Sequence, residues 1–143
     1  MTRKTTLTLD LIQSKIGYIL ACLSSYSSLD LSKRINDIHH FLFLINKSIK
    51  ENKEYVDIRN VVTLRENYKE LHESRLHNDD EVSLKGHKIS CLLFEVSIEI
   101  KLLINDSIIF NEEMKEILEL ASKYLYDCGR IVNNEILCFE EKY

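Results

Sequence analysis

No proline occurs anywhere in this chain, tryptophan is missing, and glycine is confined to Gly17, Gly86 and Gly129. A β-sandwich or barrel needs a turn every few residues and draws on proline and glycine to make them, so this scarcity favours a few long helices with short links. Cysteine is sparse and scattered at Cys22, Cys91, Cys128 and Cys138, with no C-x-x-C pair and no Cys/His spacing suited to zinc. Buried free thiols are the expectation, and neither a metal nor a cofactor is expected. Charge of one sign is also lacking: the net charge is -4 and the pI about 5.7, which argues against a protein devoted to neutralising nucleic-acid phosphates. The N-terminal stretch has no uninterrupted apolar run and no small-residue cleavage site, so a cytosolic protein without a membrane span is expected. The glycines are too far apart for a phosphate-binding loop, and neither G-x-S-x-G nor H-E-x-x-H is present.

What is present is ordinary globular material, 45% apolar and 29% charged over 143 residues, enough for one domain spanning 1–143 with its own core. The reading is an all-α, antiparallel bundle of about five helices. Leu9, Ile12, Ile16, Ile19 and Leu23 repeat at helical spacing, with Thr8 or Asp10 as the expected cap of helix one. The most regular repeat follows a serine-rich link: Leu31, Ile35, Ile38, Leu42, Ile45 and Ile49 alternate spacings of four and three. Ser28 or Asp30 is its expected cap, and the polar run 46–54 its expected end. Helix three is placed at about 55–77 on Ile58, Val61, Leu64, Tyr68 and Leu71, with a narrow stripe that makes it the outer helix.

Segment 89–104 satisfies two patterns. Phe94, Val96, Ile98, Ile100 and Leu102 alternate with polar residues as in a strand, which leaves an α+β alternative with a strand near 93–103. Ile89, Leu93, Val96, Ile100 and Leu103 form a helical repeat, and sixteen residues without a turn signal favour the helix. Asp79, Asp80 or Ser83 is its expected cap. The last helix starts at Asn111 with Glu112, Glu113 and Glu116 in its first turn, and Ile117, Ala121, Tyr124, Cys128 and Ile131 form its seam.

Two groups of residues invite a functional reading. Arg34 followed by His39 and His40 resembles the R-x(4-6)-H signature of the helical HEPN ribonucleases and toxins. The resemblance implies RNA cleavage at a dimer cleft, with Arg34 holding phosphate and His39 or His40 moving the proton. Ile35 stands where that family often has a polar residue. On one unbroken helix the five- and six-residue separations also turn the histidines about 140° and 120° away from Arg34. The second group is apolar: Phe41, Phe43 and Leu44 lie off the seam of helix two, as surface that another helix or another protein must cover. Asp79, Asp80 and Glu81 add an acidic patch suited to a basic partner.

Arg59, Arg65, Lys69 and Arg75 offer a cationic stripe, but Glu66, Glu70 and Glu73 run beside it as a solvated ion-pair face. Nucleic acid is therefore not the expected partner. The expected function is non-enzymatic: a cytosolic protein-binding module of the adaptor, antitoxin, immunity-protein or chaperone kind, covering a partner's surface or forming a homodimer. The alternative is the HEPN-like ribonuclease.

Overall fold

A computed structural model describes residues 2–76, 78 and 81–137. They form five α-helices and, among the described residues, no strand: α1 Thr2–Leu23, α2 Ser32–Glu51, α3 Ile58–Arg75, α4 Lys88–Asp106 and α5 Glu112–Val132. A 3-10 turn, Ser27–Leu29, joins α1 to α2, and a π-helical turn, Asn133–Leu137, continues α5. Helices α1, α2, α5 and α4 surround one core, each antiparallel to its neighbours, and α3 lies outside against α5. Ion pairs and hydrogen bonds from Arg65 to Glu116, His72 to Asp127 and Arg75 to Glu135 run in the same order along α3 and along α5 with its π-helical continuation, so α3 and α5 are parallel.

The expected seams are the buried ones. Leu9, Ile12, Ile16, Ile19 and Leu23 of α1 face Ile35, Ile38, Leu42 and Ile45 of α2 across the core. Segment 89–104 is helical because that period buries Ile89, Leu93, Val96, Ile100 and Leu103 together, while Ile98 and Leu102 of the alternating pattern are left exposed. The strand alternative thus fails on burial. From Arg3 to Leu23, α1 is long and apolar enough by composition to cross a bilayer, contrary to the expectation of no such segment; here its seam is buried in the bundle.

Helix ends depart from expectation where side chains supply unforeseen partners. Thr8 and Asp10 lie inside α1, and Asp10 instead accepts from Asn46 and pairs with Lys50. That link lets α2 run through its polar end to Glu51, where Asn52 closes it in the left-handed conformation at φ 52°. No side chain caps α2; Leu31 holds the position, and Asp30 turns the chain at φ 53°. Helix α3 begins with a reciprocal capping box between Asp57 and Asn60. Helix α4 is capped by His87, whose Nδ1 accepts from the Ile89 amide, in place of the acidic residues or Ser83. Asn111 caps α5 as read from the sequence, accepting from the Met114 amide.

The α4–α5 interface is the most extensive in the bundle and is lined by small residues. Ser97 and Ser122 each donate to the other's main-chain carbonyl, at 2.8 and 2.9 Å, bonds worth about 1 kcal/mol apiece. Gly129 lies against the Phe94 ring, so a Cβ there would stand 2.5 Å from a ring carbon. Of the thiols, Cys128 is buried, and burial pushes its pKa far up; Cys22 is half-buried, whereas Cys91 is exposed against expectation, and Cys138 lies outside the described residues. Gly129→Ala is expected to destabilise the fold by about 1–2 kcal/mol, overpacking outweighing the gain in helix propensity. In a Phe94→Leu background the same change should cost nothing. Urea unfolding of the four proteins checks this, and an equal penalty in both backgrounds would refute it.

Candidate functional site

The C-terminal half of α5 carries charge into the interior. Lys123, Tyr126, Asp127 and Arg130 follow one another at i, i+3, i+4 and i+7, so they share one face of the helix, on the side away from its Ile117–Ala121–Tyr124 seam. Tyr68 and His72 do the same at i and i+4 on α3, and Lys101 approaches from α4. Together these seven residues line a cleft of about 210 Å³.

Two of the seven are charged and almost wholly covered: Asp127 is 4% and Arg130 2% exposed. Charges taken out of water must be paired or hydrogen-bonded. The Asp127 carboxylate lies 2.7 Å from His72 Nδ1 and also accepts from Tyr68. Burial raises its pKa above the ordinary carboxylate range; the His72 bond, the Tyr68 bond and the Arg130 charge oppose that rise. Arg130 reaches across to the α3–α4 connection, donating to the Asn78 carbonyl at 3.2 Å and to its side-chain oxygen at 3.0 Å.

The same connection is fastened twice more. Asn133 accepts from the His87 amide at 2.9 Å and donates to the Lys85 carbonyl at 2.8 Å, and the Tyr126 hydroxyl accepts from the Val82 amide. Gly86 makes this clasp feasible: its φ of 123° and its contact with the Asn133 side chain leave no room for a Cβ. Asn78, Val82 and the Lys85–His87 backbone are thus held against the end of α5.

Chemically, an imidazole held through Nδ1 by a buried carboxylate is oriented to accept or donate a proton at its other nitrogen. Lys101 and Lys123 are exposed, and among the described residues neither has an ion-pair partner. With Arg130 they give the cleft a cationic lining. A larger cleft of about 550 Å³ lies between α1 and the far end of α4, around Lys4, Thr8, Glu99, Asp106 and Ser107, but contains no hydrogen-bonded acid–base pair.

The residues singled out from sequence are dispersed. Arg34 pairs with Glu70 and donates to the buried Tyr124 hydroxyl at 3.2 Å. His40 is exposed and stacks on Phe43, and His39 is half-buried, so no histidine joins Arg34. Phe41 is covered within the chain and Leu44 packs partly against the core; Phe43 alone of the three stays largely exposed, at 46%. Glu81 is exposed, and Asp79 and Asp80 lie outside the described residues. Of the cluster observed, sequence reading places Tyr68 on the α3 seam and His72 on a charged face beside Arg65 and Lys69, or among the titratable groups leading towards α4 where a divalent metal could be held. The signal it missed was the pair Asp127 and Arg130 set among apolar neighbours on α5.

No protein-family model matches the chain, and no curated protein matches it by sequence. Among solved structures it is similar to a variant of a PduO-type ATP:corrinoid adenosyltransferase from Lactobacillus reuteri, determined in complex with cobalamin and ATP. The TM-score is 0.79 at 14% identity, covering 97% of this chain and 81% of that one. The likeness establishes a shared fold, and the fold is one that serves an enzyme. It overturns the expectation of a non-enzymatic adaptor, antitoxin, immunity protein or chaperone. That expectation rested on missing catalytic motifs and on apolar residues that the bundle itself largely covers. Arg34, which the ribonuclease alternative would need beside a histidine, is paired with Glu70 and hydrogen-bonded to Tyr124.

The raised Asp127 pKa has a definite sign. Its protonated form favours the fold, so the contribution is complete below the unfolded value, about 3.9, and is lost as pH rises through the raised folded value. The stability of wild type relative to Asp127→Asn should therefore decline from pH 4 towards neutrality. Urea titrations across that range test it; a difference that stays flat or grows with pH would contradict it.

Proposed function

We propose that this chain is a group-transfer enzyme that takes ATP or a related nucleoside triphosphate as one substrate, with a corrinoid as the first acceptor to be examined. The observation carrying this reading is the match of nearly the whole chain to the adenosyltransferase fold, at a TM-score of 0.79. The cleft beside α5 supports it. Cationic Lys101, Lys123 and Arg130 suit a phosphate-bearing substrate, two tyrosines offer aromatic edges, and the His72–Asp127 pair offers a proton carrier.

The absence of a glycine-rich loop is no obstacle on such a scaffold. Phosphate can be held by side chains converging from three helices, and catalysis by positioning and electrostatics needs no contiguous motif. Lys101, His72 and Arg130 come from α4, α3 and α5 respectively.

The test is calorimetric titration with ATP, followed by incubation with ATP and chemically reduced cobalamin while the absorption spectrum is recorded. Saturable ATP binding and conversion to adenosylcobalamin are expected. Failure of ATP to bind at millimolar concentration, with no spectral change, would overturn the reading.

A further inference from the structure

We infer that α3 is a detachable lid: it leaves α5 as one unit while the core of α1, α2, α4 and α5 stays closed, and ionic strength sets how often it does so. The first support is how little of α3 is buried. Of its eighteen residues only Val61, Leu64 and Leu71 are buried, against eight of nineteen in α4 and thirteen of twenty-one in α5. Its outer face leaves Ile58 and Val62 in solvent. An element with so narrow an apolar seam opens at a lower free energy than the core beneath it.

The second support is what replaces that seam. Charged contacts fasten α3 along its length: Arg65 to Glu116, Glu70 to Arg34 of α2, His72 to Asp127, and Arg75 to Glu135 on the π-helical turn. The Arg65, Glu116 and Glu70 side chains are exposed, so their pairs are weak and lose strength as salt screens them. By contrast, α4 and α5 are joined through Ser97 with Ser122 and Phe94 with Gly129, buried contacts that hold no charge for salt to screen.

The third support is position. Arg34 donates both to Glu70 of α3 and to the Tyr124 hydroxyl of α5, and the Tyr68 ring lies 6.0 Å from that of Tyr124, so α3 covers the seam between α2 and α5. Lifting it uncovers Tyr124 and Asp127 and takes Tyr68 and His72 out of the cleft lining. Buried Val56 and Leu76 flank the helix and keep it tethered. At about 210 Å³ the closed cleft is smaller than the roughly 300–1,000 Å³ that enclose drug-sized ligands, and release of α3 supplies the room that a nucleotide needs. That use of the lid rests on the proposed function; the opening itself does not.

Native-state hydrogen exchange on the full, ligand-free chain tests this at about 10 and about 500 mM sodium chloride. Three proteins are compared. Beside wild type stand Arg65→Gln/Glu70→Gln, which breaks α3 contacts without changing the net charge, and Lys15→Gln/Glu95→Gln, which does the same between α1 and α4. Circular dichroism verifies that each folds. In wild type the Leu64, Tyr68 and Leu71 amides should open together, about tenfold or more often than those from Val96 to Ile100, and salt should speed them alone. Arg65→Gln/Glu70→Gln should raise their opening about three- to tenfold at low salt and weaken the salt response, and the control should leave them unchanged. Opening of α3 only together with α4, no salt response in wild type, no acceleration in the α3 variant, or equal acceleration in both variants would overturn the lid. No ligand enters the measurement, so its failure leaves the nucleotide reading standing, and failure of ATP to bind leaves the lid standing.

Discussion

Everything near the candidate site depends on α5 burying polar side chains that the interior can accept only when they are satisfied. Asp127, Arg130 and Asn133 are almost fully covered, and leaving any of them unpaired would cost several kcal/mol for a charge and about 1–3 kcal/mol for an amide. Their partners are the α3 histidine, Asn78, and the Lys85–His87 backbone. Satisfying α5 therefore places Asn78, Val82 and the Lys85–His87 backbone ahead of α4. The π-helical turn after Val132 continues the pattern, since Glu135 on it receives Arg75, which also holds the Leu29 carbonyl.

Most of the fold is written in the apolar periods. The four-three repeats of α1, α2, α4 and α5 are the buried seams because a regular stripe has one efficient way to leave water, and the ambiguous 89–104 segment follows the same rule. The helix ends are less legible. Asp57 with Asn60 departs from the usual Ser/Thr with Glu/Gln form of the capping box, and a histidine at a cap is rarer still. Asn46 looked like the end of a helix, yet its amide is buried against Asp10, a partner 36 residues away.

The site was the least legible part, for a related reason. His72, Lys101, Asp127 and Arg130 are spread over 59 positions on three helices, and helix-surface spacing rules cannot see such a set. The visible cluster, Arg34 with His39 and His40, was compact in sequence and dispersed in space, because a helix rotates five- and six-residue neighbours apart. The phenylalanines misled similarly: Phe41 faced inward and Phe43 outward, so a patch in sequence became one covered and one exposed ring.

The clasp is the claim on which the rest turns, and native-state hydrogen exchange reads it residue by residue. In wild type the His87 amide, bonded to Asn133, should be protected. In Asn133→Ala it should exchange at least tenfold faster while the Leu93 to Ile100 amides of α4 keep their protection. Unchanged exchange at His87, or loss of protection along the whole of α4, would contradict the idea that α5's buried polar groups hold the connection.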